Sequence, residues 1–227
     1  MSEVPYTVRR SDRARRARIV VDAGGVEVVV PRRMALRHVA PFVEEKRPWI
    51  ERTLRRYRDA QADGPVVALA HGGTVPYLGR DLALEVREEP ARSRPHVRPR
   101  GDRLAVRLPE GGDLRDALER WYRRRAREEV AWRLDAACAR AGSAYTALTI
   151  RAQRTRWASC SATGAMSFNW RLLLAPAEIL DYVVEHEVAH LERMDHSPAF
   201  WALLGSRCPD YREHERWLRV HGPGLRL

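Results

Sequence analysis

Four side chains in the last fifth of the chain, His186, Glu187, His190 and His196, form its most reactive grouping. Three of them fall in Ile179-Leu180-Asp181-Tyr182-Val183-Val184-Glu185-His186-Glu187-Val188-Ala189-His190-Leu191, whose apolar positions recur at helical spacing and predict a helix over 177–192. Histidines at i and i+4 lie one turn apart on one helix face, so both imidazoles can reach a single metal ion. Glu187 follows the first histidine directly and projects beside that ion, where a carboxylate can take a proton from a metal-activated water. The pattern therefore points to metal-assisted hydrolysis, with Zn²⁺ as the ion and Glu187 as general base. The bland alternative is a pair of histidines on an ordinary helix. The flanking Ile179, Val183, Val184 and Leu191 weigh against it, because they bury the helix and give the site a rigid support.

His196 lies ten residues after His186, the ligand spacing of the metzincin type of zinc protease. Ser197 suits an N-cap and Pro198 the first helical position, so a new helix starts there. The chain must then turn between Leu191 and Ser197, bringing His196 back over the end of the first helix. Metzincins use a glycine at this turn; Arg193 stands there here, so the turn must differ in geometry. Three neutral imidazoles plus a water make an open, catalytic type of zinc site. Glu213 or Glu215 is the alternative third ligand. Asp195, Glu185 and Glu192 are candidates to hydrogen-bond a ligand imidazole, although for the last two a solvated helix charge is the plainer reading.

A second informative segment runs Arg154-Thr155-Arg156-Trp157-Ala158-Ser159-Cys160-Ser161 and leads to Ser167-Phe168-Asn169-Trp170-Arg171. Its functional reading is a strand lining the cleft, whose backbone would pair with an extended peptide. Arg156 and Trp157 are then candidate substrate-binding residues, and Arg156 and Arg212 candidate oxyanion donors. The structural reading is a plain hairpin with a core tryptophan. Cys160 could touch the metal, but a buried inert thiol is the simpler assignment.

The elements that must hold these residues can be sketched from patterning. Ala17–Val21 and Val26–Pro31 around Asp22–Gly25 read as a β-hairpin. A helix is expected from Leu36 to Ala60, with Pro41 and Pro48 breaking or offsetting its start. Strand candidates follow at Val66–Leu69, Val75–Leu78, Leu82–Val86 and Leu104–Leu108, with Glu88–Arg103 as an exposed loop. Asp113 starts a long amphipathic helix that Gly142 stops. Tyr145–Arg151 and Met166–Leu174 read as strands, and Ala177–His221 as helical with breaks near Asp195–Ser197 and Cys208–Pro209. These elements divide into a β-rich region with one helix over 1–112 and a catalytic domain over 113–227.

At 227 residues the chain can bury a substantial core. No apolar run approaches membrane-spanning length and the N-terminus lacks a secretory pattern, so a cytoplasmic location without membrane association is expected. Cys138, Cys160 and Cys208 form no CxxC pair and read as free thiols. The net charge of +11 admits a nucleic-acid partner. However, Lys46 is the one lysine among 41 basic residues, a skew that fits codon bias equally well.

At the quoted motifs the chain resembles the YgjP-like metallopeptidase family, the DUF45 group near the WLM and SprT-like zincins. The shared pieces are Arg154–Cys160, Ser167–Leu172 with Ala175-Pro176, His186–His190, His196-Ser197-Pro198 and Phe200-Trp201. Ala158 and Asp195 depart from the family's usual glycine and asparagine. The resemblance covers most of the chain. It implies a zincin-like α+β metallopeptidase domain, here with an N-terminal β-hairpin and helix extension, and a zinc site of His186, His190 and His196 with Glu187 as base. A protein or peptide substrate is thus expected. A nucleoside-triphosphate pyrophosphatase on the same metal site, an activity assigned to some relatives, and a DNA-associated binding module are the alternatives. No Walker A loop or carboxylate cluster supports the first of these.

Overall fold

The computed structural model describes residues 4–22, 24–62, 67–153 and 155–227. They divide into two compact units, 1–64 and 65–227.

In the first unit, β1 (Tyr6–Ser11), β2 (Arg18–Asp22) and β3 (Gly25–Pro31) form a sheet of order β1-β3-β2. β2 and β3 make the expected hairpin, with Val21 opposite Val26. Val21, Val26, Val28 and Val30 are buried with Val39, Val43 and Ile50 of α1 (Val39–Ala62). A short 3-10 turn, Leu36–His38, precedes α1, which starts at Val39 and runs through both Pro41 and Pro48. β1 was not anticipated. Its side chains are almost all exposed, so it carries no apolar alternation to read, and its parallel pairing with β3 supplies its order.

In the second unit, β4 (Thr74–Tyr77), β5 (Arg80–Glu88), β6 (His96–Arg100) and β7 (Arg103–Leu108) form a sheet of order β4-β5-β7-β6. β6 corrects the expected Glu88–Arg103 loop. It is an edge strand in which Val97 alone is buried and Pro99 is tolerated, which hides it from patterning. Residues 67–69 of the expected Val66–Leu69 strand are irregular, and Val66 lies outside the described residues. The buried side of this sheet shares one core with Leu118, Trp121, Tyr122 and Leu134 of α2 (Leu114–Ala141). The break between units accordingly comes before these strands, at 64/65, whereas the patterning placed a boundary at 112/113. α2 begins at Asp113, whose side chain accepts the Asp116 N–H, and ends at Gly142 with φ of 62°.

A third sheet contains β8 (Ala147–Arg151), β9 (Ala158–Cys160) and β10 (Ala165–Asn169) in the order β8-β10-β9, which leaves β9 at an edge. The expected Met166–Leu174 strand stops at Asn169, because the Asn169 side chain caps a 3-10 turn over Trp170–Leu174. The helical region is broken where expected, into α3 (Ala177–Ala189), α4 (Pro198–Arg207) and α5 (Tyr211–His221). α3 ends on His190 as its C-cap rather than continuing to 192. It packs against α2, α4, α5 and β9. The architecture is α+β.

Candidate metal centre

Ile179, Leu180, Val183, Val184, Val188 and Ala189 bury α3 on most sides, and this anchoring aims His186 and His190. His190 Nδ1 lies 3.0 Å from the Arg193 carbonyl oxygen. A carbonyl only accepts, so Nδ1 carries the proton and Nε2 keeps its lone pair for an ion. Past His190 the chain tightens, the Arg193 N–H reaching back to the Ala189 oxygen at 2.9 Å. Ser197 then caps α4 by accepting the Phe200 N–H, with Pro198 in the first turn.

This return places His196 Nε2 3.2 Å from His186 Nε2. One nitrogen from each of His186, His190 and His196 lies within 4.8 Å of the other two. Two nitrogens bound to a tetrahedral zinc stand ~3.3 Å apart, so the spacing and the all-nitrogen donor set fit that ion. Facing imidazole nitrogens at such a distance also need a shared proton or a cation between them. Among the described residues no carboxylate or thiol joins the cluster: Glu213, Glu215 and Cys160 stay out of it.

α4 orients the rings. Phe200, fully buried, stacks on His190 at 4.6 Å between centroids, and Trp201 stacks on His196 at 5.6 Å. Sequence reasoning had no structural role for this aromatic pair; its place straight after the Ser-Pro cap is the signal that could have suggested one.

Burial, with the neighbouring His190 and His196, depresses His186 to about 3, so its imidazole is neutral and ready to ligate. Burial also lowers His190. Glu187 is only 5% exposed, and burial raises its carboxyl to about 7 against the opposing pull of the Cys160 backbone N–H and the Arg156 charge. Its Oε2 is buried without a hydrogen-bond partner. The Cys160 thiol, pushed up to about 11 by burial and by Glu187, stays protonated.

Arg156 is exposed, with its charge felt at Glu187. Trp157 packs against Gly222, where a β-carbon would sit 2.8 Å from the indole. Asn169, buried, donates through Nδ2 to the carbonyls of Gln153 (2.8 Å) and Arg156 (3.4 Å), and its N–H donates to the Trp157 oxygen at 2.7 Å. It fastens the approach to β9, a role that the motif alone did not disclose. Glu185 pairs with Arg140, and Glu192 with Arg207, so both carboxylates are engaged by arginines. Asp195 acts on His190 through charge. Arg212 donates to the Tyr211 hydroxyl.

An α+β domain with a His-Glu-x-x-His helix and a third histidine folded back onto it defines a class, the zincin-like metallopeptidase domains. The chain belongs to the YgjP-like metallopeptidase family, whose metallopeptidase domain matches residues 15–221. Among solved structures, it is similar to the metallopeptidase zymogen of Pyrococcus abyssi abylysin at 25% identity. That likeness covers 39% of this chain and 91% of the other, with a TM-score of 0.36. Comparison with curated proteins gives no match.

Proposed function

We propose that this protein is a zinc-dependent peptidase acting on polypeptides in the cytoplasm. The observation carrying this reading is that an edge strand, β9, lies against the helix bearing Glu187, with the Cys160 backbone N–H favouring the charged form of that carboxyl. A strand edge offers N–H and C=O groups that an extended polypeptide can pair with, whereas a closed arginine-lined pocket would favour a nucleotide.

His186, His190 and His196 would hold the zinc, which when bound supplies Lewis acidity to a scissile carbonyl and lowers the pKa of water. Glu187 moves the proton. With a carboxyl near 7 and an unpartnered Oε2, it can take a proton from the attacking water as the new C–O bond forms. It then delivers that proton to the amine nitrogen as the C–N bond breaks, leaving an amine and a carboxylic acid whose remaining proton passes to the amine, giving carboxylate and ammonium. Arg156, whose charge reaches Glu187, is the proposed stabiliser of the developing oxyanion. Trp157, set against Gly222, is assigned to holding this wall in place beside any substrate contact.

Cys138, Cys160 and Cys208 are free thiols, in keeping with a reducing compartment. No helix among the described residues is long and apolar enough to cross a membrane.

The test is metal analysis together with Glu187→Gln. We expect about one zinc per purified chain and peptide hydrolysis that falls ~10²–10⁴-fold in the variant while zinc is retained. Wild type without zinc, or a variant of undiminished activity, overturns the reading. Pyrophosphate release from UTP, lost in His186→Ala, with no peptide cut, would transfer the site to nucleotides.

A further inference from the structure

A groove of about 740 Å³ opens between α4 and α5, lined by Trp201 and Ala202 on one side and by Tyr211, Arg212, Arg216 and Arg219 on the other. Trp201 links its lining to the histidine cluster, since it stacks both on His196 and on Tyr211, the latter at 5.5 Å and 21°. Its size suits a ligand side chain or a short peptide segment.

Its charge is one-sided. Arg216 and Arg219 are exposed and have no ion-pair partner among the described residues. Arg212 is engaged only by Tyr211: its Nε donates to the hydroxyl at 3.1 Å, and its guanidinium carbon lies 5.7 Å from the ring centroid. Glu215 is the single carboxylate of the lining. Against that one carboxylate the same lining carries the three guanidinium groups of Arg212, Arg216 and Arg219, which leaves it net positive.

The aromatic lining does not suit a nucleobase. Trp201 is stacked by His196 and Tyr211, while Tyr211 is stacked by Trp201 and covered by Arg212. With these faces engaged, the groove offers guanidinium donors, which match carboxylates in fork geometry.

We propose that the α4–α5 groove is a substrate subsite selecting acidic side chains that flank the scissile bond of a polypeptide. The proposal rests on the peptidase reading above. It makes specificity a property of α5, outside the histidine motif.

The experiment uses the zinc-loaded full chain and three sets of fluorogenic peptides with one common core, flanked by Asp/Glu, by Ser or by Lys. We expect kcat/KM about ten-fold higher for the acidic than for the Ser set, carried by KM and shrinking with added salt. In R216E/R219E the acidic-to-Lys ratio should invert, and in R216Q/R219Q it should fall towards one. Cleavage without charge preference, or a preference that survives charge reversal, overturns the subsite and leaves the peptidase reading standing. If no set is cut, the peptidase reading fails, and binding of a labelled acidic peptide decides the groove. Anisotropy lost in R216E/R219E supports it, and unchanged binding overturns it. A single-stranded oligonucleotide or UTP that outcompetes the acidic peptide and loses binding in the same variant assigns the groove to phosphates instead.

Discussion

His190 and His196 lie six residues apart, yet different physics places them. His190 closes a helix whose apolar neighbours are buried, is itself only 8% exposed, and has its tautomer set by the Arg193 carbonyl. His196 is exposed and sits on irregular chain between α3 and α4. It is held by a stack on Trp201 and by the Ser197 cap that starts the next helix. A helix histidine thus inherits its position from the core, whereas a turn histidine depends on a few local contacts. The first should be hard to perturb short of deletion, and the second should be tunable.

Four measurements can break or sharpen that contrast. The largest effect is expected from His190→Ala, which removes a core-anchored donor: zinc affinity should fall ~10³-fold or more in competition with a chelating dye. Phe200→Ala comes next, since this fully buried ring stacks on His190. It should cost about 3–5 kcal/mol in denaturant unfolding and loosen zinc as well. A variant that keeps wild-type zinc affinity would show that α4 does not orient the ligands.

His196→Ala should weaken zinc by only about 10²-fold, with residual binding by the helix pair. Equal losses in His190→Ala and His196→Ala would erase the distinction between helix and turn ligands. The smallest effect belongs to Ser197→Ala. Losing the cap on α4 should cost ~1 kcal/mol and lower Tm by about 2–4 °C. Adding zinc should restore part of that, because an ion that binds only the folded chain stabilises it. A Tm indistinguishable from wild type in the metal-free chain would deny the cap its role.

The same division governs what could be read ahead of the structure. The α3 face was legible because helical periodicity is local: His186, Glu187 and His190 share one side by spacing alone. The cap of α2 at Asp113 and its stop at Gly142 were legible for the same reason. β1 and β6 were not, as both are mostly exposed strands whose order comes from partners distant in sequence. Asn169 read as one polar residue inside the expected Met166–Leu174 strand. Its three bonds to Gln153, Arg156 and Trp157 exist only once β10 lies beside β9.

Local chemistry in the chain determined the histidine pair, the carboxylate beside it and the turn that sends His196 back, since each follows from residue type and short spacing. Tertiary packing decided the rest. The carboxyl of Glu187 moves to about 7 because neighbouring elements strip away its water, and the edge of β9 meets it because three strands assemble in an order that spacing does not encode. The arginines of α5 come to share a groove with Trp201, the ring stacked on His196, because α4 and α5 each pack on α3. Burial and long-range pairing are properties of the whole fold, and no window of sequence contains them.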